Sequence, residues 1–140
     1  MMVPINYLAV VLAAVASVIL GSLWYGPIFG KYWISLAGFT PQQIEEGKKK
    51  GMGKSYALTI LGSLVMSYVL AHSLVFAAAY LKVSGAPAGV MAGFWSWLGF
   101  VVPSTMSDFI WGGRPMKLWL LNIGYYLVAL VVMGVILALM

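Results

Sequence analysis

The sequence predicts an all-α fold, an integral membrane four-helix bundle with a short capped helix in its first loop. Hydrophobic residues make up 63% of the 140 positions, charged residues make up 8%, and the mean hydropathy is +0.99. A soluble domain of this size needs a polar shell, which eight basic and three acidic residues do not provide. Four apolar runs are each long enough to cross a hydrocarbon core about 30 Å thick, and none alternates polar with apolar residues as a membrane barrel strand does. We predict one domain whose spans cover residues 3–25, 56–81, 88–110 and 118–140.

The first run ends in a stretch that is typical of a membrane interface. Gly26-Pro27 should end the helix there, because Pro27 has no N–H to donate and disfavours α geometry at Gly26. Amphipathic rings and lysines surround this break and recur after the third run. The predicted interface belt comprises Trp24, Tyr25, Lys31, Trp33, Trp111, Lys117 and Trp119. Both segments read aromatic-Gly-x4-Lys-x-Trp, which indicates either an internal repeat of two helix pairs or a shared need for a belt at one interface.

The basic residues predict how the chain is oriented. Seven of them lie in the first and third loops, namely Lys31, Lys48, Lys49, Lys50, Lys54, Arg114 and Lys117. Lys82 alone lies on the opposite side. Because cytoplasmic loops carry an excess of Lys and Arg, we expect both termini on the non-cytoplasmic side of a bacterial or archaeal inner membrane. This orientation explains the net charge of +5 better than nucleic-acid binding does, so we expect no nucleic-acid partner.

The first loop carries a helix-start signal. Thr40-Pro41 with Gln43 forms a capping-box pattern, so a helix of about two turns should follow and end near Gly47 or Gly51. The lysines at positions 48–50 would then lie beside anionic lipid headgroups. They act there either as a lipid or partner contact or as an orientation signal on a solvated loop.

Small residues mark the faces on which helices should pack. They recur every four residues in the first two spans, as Ala9, Ala13, Ser17 and Gly21 and as Thr59, Ser63, Ser67 and Ala71. Such stripes let helix backbones approach closely, which drives association in lipid. We therefore expect the first two helices to form a tight hairpin. Gly89-Gly93 and Gly134-Ala138 offer shorter versions in the other spans, and all these contacts could lie within one chain or between copies of a homo-oligomer.

Ionisable groups inside membrane spans are costly and indicate candidate functional sites. The candidate polar, ion or substrate site comprises His72, Tyr68, Asp108, Ser104, Asn122 and Tyr125. At a rise of about 1.5 Å per residue, His72 and Asp108 lie about 20 Å apart along the bundle axis, so they cannot form a dyad. His72 is either a neutral, hydrogen-bonded residue of the bundle, a proton relay, or a group that faces lipid headgroups or water. The expected neighbours of Asp108 are Asn122 and Tyr125 on the fourth helix and Arg114 or Lys117 in the adjoining loop. Asp108 is either part of a structural charge pair, a proton or ion ligand, or a group that faces lipid headgroups or water.

The motifs around the first loop resemble those of a known family. Leu23-Trp24-Tyr25-Gly26-Pro27 with Phe29-Gly30-Lys31 and Trp33, and Asn122-Ile123-Gly124-Tyr125 near the end, resemble the bacterial membrane proteins catalogued as domain of unknown function 1761. The resemblance implies a small four-span protein and carries no catalytic residues with it.

Three functions remain open from the sequence. The first is a transport or channel protein acting as a homo-oligomer, and the second is a non-catalytic accessory or scaffold module. The third is an intramembrane enzyme acting on a lipid-like or quinone-like substrate. One histidine and no cysteine cannot build a conventional zinc site, and no phosphate loop is present. We therefore predict no catalytic residue, metal or cofactor.

Overall fold

A computed structural model describes residues 4–51 and 53–140, and these are almost entirely helical. The helices are α1 Tyr7–Leu23, α2 Gly30–Ala37, α3 Pro41–Lys50, α4 Gly53–Leu81, α5 Gly85–Ser96, α6 Val102–Thr105, α7 Ser107–Ile110 and α8 Met116–Leu139. Two π-helical turns, Trp24–Ile28 and Trp97–Val101, continue α1 and join α5 to α6.

Four stretches are long and apolar enough to cross a membrane: Tyr7–Ile28, Gly53–Leu81, Gly85–Ile110 and Met116–Leu139. This confirms the predicted all-α class and the number of spans. Large apolar side chains cover their outer faces, as with Leu61, which is 58% exposed and would lie against lipid. The chain is a multi-pass membrane protein.

The capped helix predicted after Thr40 is present as α3. The Thr40 hydroxyl accepts from Gln43 N, the Gln43 side chain accepts from Thr40 N, and the helix ends at Gly51 with φ 78°. A further short helix, α2, precedes it and was not predicted. It forms because no proline or glycine interrupts the chain until Gly38, which ends it in the left-handed region at φ 76°.

Two spans are interrupted beside a proline, the first of them at the predicted Gly26-Pro27. Gly26 has non-helical φ −106° and ψ −105°, and Pro27 follows it inside the first π turn. The second π turn ends two residues before Pro103, which is the second residue of α6. Proline cannot donate the backbone hydrogen bond that a continuous helix requires, so the backbone rearranges at these points.

The part of the bundle around Ala13, Ser67, Gly89 and Met133 is closely packed, and we call it the packed half. Gly89 and Gly134 bring α5 and α8 into backbone contact, since a Cβ on either glycine would overlap the other's carbonyl oxygen. At Gly93 a Cβ would lie 2.5 Å from the Leu130 carbonyl oxygen. Small residues thus make the closest helix contact of this half. This is expected in lipid, where the hydrophobic effect does not drive helices together and close packing does.

α1 and α4 also pack together in this half. The Ser67 hydroxyl, fully buried, donates to the Val10 carbonyl oxygen across the two helices at 2.8 Å. Six of the eight residues in the two predicted stripes are buried: Ala9, Ala13, Ser17, Ser63, Ser67 and Ala71. The other two, Gly21 and Thr59, are less buried because α4 separates from α1 toward its own beginning.

Candidate functional site

An open cavity of about 790 Å³ occupies the part of the bundle around Ser22, Thr59, Asp108 and Asn122, which we call the hollow half. It exists because α4 leaves the bundle there: every residue from 53 to 62 is exposed, and burial begins at Ser63. The end of α1, the first π turn, α2, α6, α7 and α8 form the other walls.

The cavity is lined by rings and small polar groups rather than by aliphatic side chains alone. Its aromatic residues are Tyr25, Trp33, Tyr56, Trp119, Tyr125 and Tyr126. Its hydroxyl and amide residues are Ser17, Ser22, Thr59, Ser63, Thr105 and Asn122. Among the described lining residues, Asp108 is the one that carries a charge. Ligand sites commonly measure about 300–1,000 Å³ and combine aromatic walls with a few polar groups.

Hydrogen bonds between α8 and the first span hold the wall of this cavity. The Tyr25 hydroxyl donates to Asn122 Oδ1 at 2.7 Å, and the Tyr125 hydroxyl donates to the Ser17 carbonyl oxygen at 2.8 Å. The Tyr25 and Tyr125 rings meet edge to face, with centroids 5.5 Å apart. These bonds fix the rings against each other, since an unpaired phenol in a membrane interior is costly.

Two glycines make room for these rings. A Cβ on Gly21 would lie 3.0 Å from the Tyr125 hydroxyl oxygen, and a Cβ on Gly124 would lie 3.3 Å from the edge of Trp24. Gly21 therefore contributes to the site by its small size, which lets Tyr125 reach α1.

Each π turn begins with a tryptophan that binds α8. Trp24 Nε1 donates to the Leu121 carbonyl oxygen at 3.2 Å, and Trp97 Nε1 donates to the Ile123 carbonyl oxygen at 2.7 Å. Both broken spans are thereby attached to one turn of α8, immediately beside Asn122. π turns often occur at functional sites.

Asp108 lies at the cavity with Asn122 and Tyr125, the two fourth-helix residues that the sequence offers as its neighbours. Its contact with Arg114 is between backbone atoms, because Arg114 N donates to the Asp108 carbonyl oxygen at 3.1 Å. The Asp108 side chain is exposed.

Ser104, another candidate, lies outside the cavity lining. Its hydroxyl donates to the carbonyl oxygens of Phe100 and Val101, in the π turn that precedes α6. The adjacent Thr105 lines the cavity instead, and its hydroxyl accepts from Trp119 Nε1 at 2.9 Å. Which of two neighbouring hydroxyls faces inward depends on the second π turn, which changes the rotation of the helix after residue 101.

His72 and Tyr68 lie on α4 beyond the cavity lining. His72 Nδ1 lies 2.9 Å from the Tyr68 carbonyl oxygen, and the two rings meet edge to face at 4.5 Å. Because a carbonyl oxygen only accepts, Nδ1 must carry the hydrogen. The cavity thus reaches Asp108 and not His72.

The predicted belt residues divide into two groups. Trp24, Tyr25 and Trp119 turn their polar atoms into the bundle, and Trp33 packs edge to face on Tyr25 at 5.3 Å. The others are exposed: Lys31, Lys117 and Trp111, the last by 86%. The two copies of the aromatic-Gly-x4-Lys-x-Trp pattern therefore have different local structures.

Further lining residues were missed from sequence, among them Tyr56, Gly62, Thr105 and Tyr126. Tyr56 and Gly62 lie about one helical turn on either side of Thr59. They therefore share a helix face with the small-residue stripe of the second span, which is the signal that could have identified them. Within the described residues, no group of three or more acidic or histidine side chains is placed to hold a metal ion.

Comparison with known proteins gives a family and no described relative. No curated protein and no solved structure matches the chain. A family model described as "Protein of unknown function (DUF1761)" matches residues 8–138, which is nearly the whole chain. The match includes the complete cavity lining and all of the spans except their terminal residues Tyr7 and Leu139. The chain belongs to this DUF1761 family.

Proposed function

We propose that the chain is a small transport-type protein that admits a polar solute from one face of the membrane into the cavity of its hollow half. The observation that most supports this proposal is a cavity with polar and aromatic walls within a single chain. This cavity reaches Asp108, which belongs to the third membrane-spanning stretch. Polar groups facing an empty apolar space would be unfavourable, so such a cavity favours occupation by water or a solute.

The predicted orientation supplies the direction of entry. The cavity lies at the end of the bundle from which α2, α3 and the connection to α8 emerge, and these segments carry five of the eight basic residues. By the lysine excess, this end faces the cytoplasm in our proposal. The solute would enter from inside the cell and meet the packed half as the barrier to passage.

Passage beyond the packed half requires either a rearrangement of that half or a second copy of the chain. We therefore include a homo-oligomer in the proposal, as closed symmetric assemblies are the common way for small subunits to complete a site. Light scattering of the purified protein–detergent complex should give the mass of two or more chains. A single-chain mass at all concentrations would remove the oligomer from the proposal.

The lysines that end α3 are the proposed lipid contact. Lys48 and Lys49 are exposed, and residues 48–50 together would attract anionic headgroups. Native mass spectrometry should show retention of anionic over zwitterionic lipid, and replacement of the three lysines by alanine should remove that preference. Equal retention by both proteins would contradict the contact.

Solute flux through reconstituted vesicles tests the transport proposal. Vesicles shrink when an external solute is added and re-swell as that solute enters. Vesicles with the protein should re-swell faster than protein-free vesicles in at least one of tetramethylammonium chloride, sodium acetate or glycerol. Gly62→Trp should abolish the difference, because Gly62 lines the cavity and has open space beside it. The matched control is Leu61→Trp, which places the same ring at a neighbouring, exposed position outside the cavity lining. Flux equal to that of protein-free vesicles, or equal loss in both variants, would contradict transport through this cavity.

A further inference from the structure

The walls of the cavity favour one class of solute by charge. The chain carries a net charge of +5, yet among the described lining residues the single charged side chain is the carboxylate of Asp108. The carboxylate would repel an anionic solute in the cavity and attract a cation.

Five of the nine hydroxyl groups that line the cavity donate their hydrogens within the protein. Ser17, Thr59 and Thr105 donate to carbonyl oxygens of their own spans at 3.1, 2.8 and 2.6 Å. Tyr25 and Tyr125 donate to Asn122 Oδ1 and to the Ser17 carbonyl oxygen. A hydroxyl that donates elsewhere still has lone pairs, so these five groups can offer a solute acceptors and no donors.

The aromatic rings of the cavity also favour a cation. Six rings line the cavity. Four of them form a continuous series, with centroids of Trp33 and Tyr25, Tyr25 and Tyr125, and Tyr125 and Tyr126 separated by 5.3, 5.5 and 5.1 Å. The face of an aromatic ring is electronegative and attracts cations within about 6 Å, with the largest effect where water is excluded.

The number of carboxylates in the cavity walls indicates which kind of cation would bind. Divalent metal ions take about six or more oxygen ligands and are usually bound by several carboxylates, whereas this cavity has one. Rings replace the weak hydration of an alkylated ammonium far better than that of a small, strongly hydrated ion. We propose that the cavity binds a small organic cation, an alkylated ammonium held over the tyrosine and tryptophan rings and balanced by Asp108. This inference rests on the proposed function and names its substrate class.

Three solutes of the same shape and different charge test the proposal. They are (2-hydroxyethyl)trimethylammonium, its neutral isostere 3,3-dimethylbutan-1-ol, and the anion 3,3-dimethylbutanoate. Binding to the full chain in lipid nanodiscs would be measured by equilibrium dialysis, with the fluorescence of the cavity tryptophans as a second signal. We expect the cation to bind at least about tenfold more tightly than the alcohol, and the anion more weakly than both.

Variants assign the preference to named groups. Asp108→Asn should weaken cation binding about tenfold and leave the alcohol unchanged, and Asp108→Glu should retain most of the preference. Trp33→Leu should weaken the cation more than the alcohol. Glu45→Gln, on the exposed surface of α3, is the control and should change nothing. The helix content and thermal midpoint of each variant would show that it folds.

The outcomes separate this inference from the transport proposal. Equal binding of all three solutes, blocked by Gly62→Trp, would overturn the cation preference and leave the cavity as a solute site. Tighter binding of the anion than of the cation would also overturn the cation preference and leave the cavity as a solute site. No measurable binding of any of the three at millimolar concentration would overturn the cation preference, while the flux of glycerol or acetate would still decide whether solutes cross.

Discussion

The two halves of this bundle use small residues in opposite ways. In the packed half, Gly89 and Gly134 remove side chains so that two backbones touch. In the hollow half, Gly21 and Gly124 remove side chains so that the rings of Tyr125 and Trp24 can cross between helices. The same residue type therefore closes one half and supports a ring-lined cavity in the other. What differs is the neighbour: a glycine facing a glycine gives contact, and a glycine facing an aromatic gives a hydrogen-bonded wall.

The largest expected effect comes from adding bulk to the packed half. Gly134→Val should lower the free energy of unfolding by about 3 kcal/mol or more, because its side chain would occupy the position of the Gly89 carbonyl group. Unfolding in mixed detergent, followed by far-ultraviolet circular dichroism, gives the measurement.

Gly62→Ala is the matched control from the hollow half. Its Cβ meets open space, so the substitution should raise the helix stability by up to about 1 kcal/mol. Similar destabilisation by both substitutions would mean that the halves are packed alike.

A smaller effect should come from the hydrogen-bonded wall. A double-mutant cycle of Tyr25→Phe and Asn122→Ala should show a coupling of about 0.6–1.7 kcal/mol, the range of hydrogen bonds between membrane helices. The 2.7 Å contact between the two side chains is the reason for expecting coupling. Additive effects within about 0.3 kcal/mol would indicate that the wall is not held by this bond.

The smallest difference compares two serines. Ser67→Ala should cost about 0.6 kcal/mol, because its fully buried hydroxyl joins α4 to the Val10 carbonyl oxygen. Ser104→Ala should cost close to nothing, since this exposed hydroxyl binds carbonyls of its own span and joins no two helices. Both are read from the same unfolding titration, and a larger cost at Ser104 would reverse the assignment.

The sequence was most informative where composition and local chemistry decide the structure. Run length and hydropathy predict the spans, and Thr40 with Gln43 predicts the start of α3. The stripes predict which residues of α1 and α4 meet, but not that α4 departs before Ser63, because small size permits contact without requiring it.

The site was harder to predict than the spans. Asp108, Asn122 and Tyr125 were expected to be neighbours and do line one cavity. Trp24, Tyr25 and Trp119 were predicted as interface residues, and the sequence did not predict that their polar atoms bind inside the bundle. Whether an amphipathic ring turns its polar atom inward depends on π turns and glycine positions in other helices. The sequence likewise did not show which of the neighbouring residues Ser104 and Thr105 lines the cavity.

Accessibility of single cysteines tests the hollow half most directly. The chain has no cysteine, so Gly62→Cys and Leu61→Cys each introduce one thiol at nearly the same depth on different faces of α4. Thr59→Cys and Ile60→Cys give a second such pair. A charged thiosulfonate reagent should label the cysteines at 59 and 62, which line the cavity, and leave those at 60 and 61, which face lipid. Equal labelling within each pair, or no labelling at 59 and 62, would contradict a water-filled cavity.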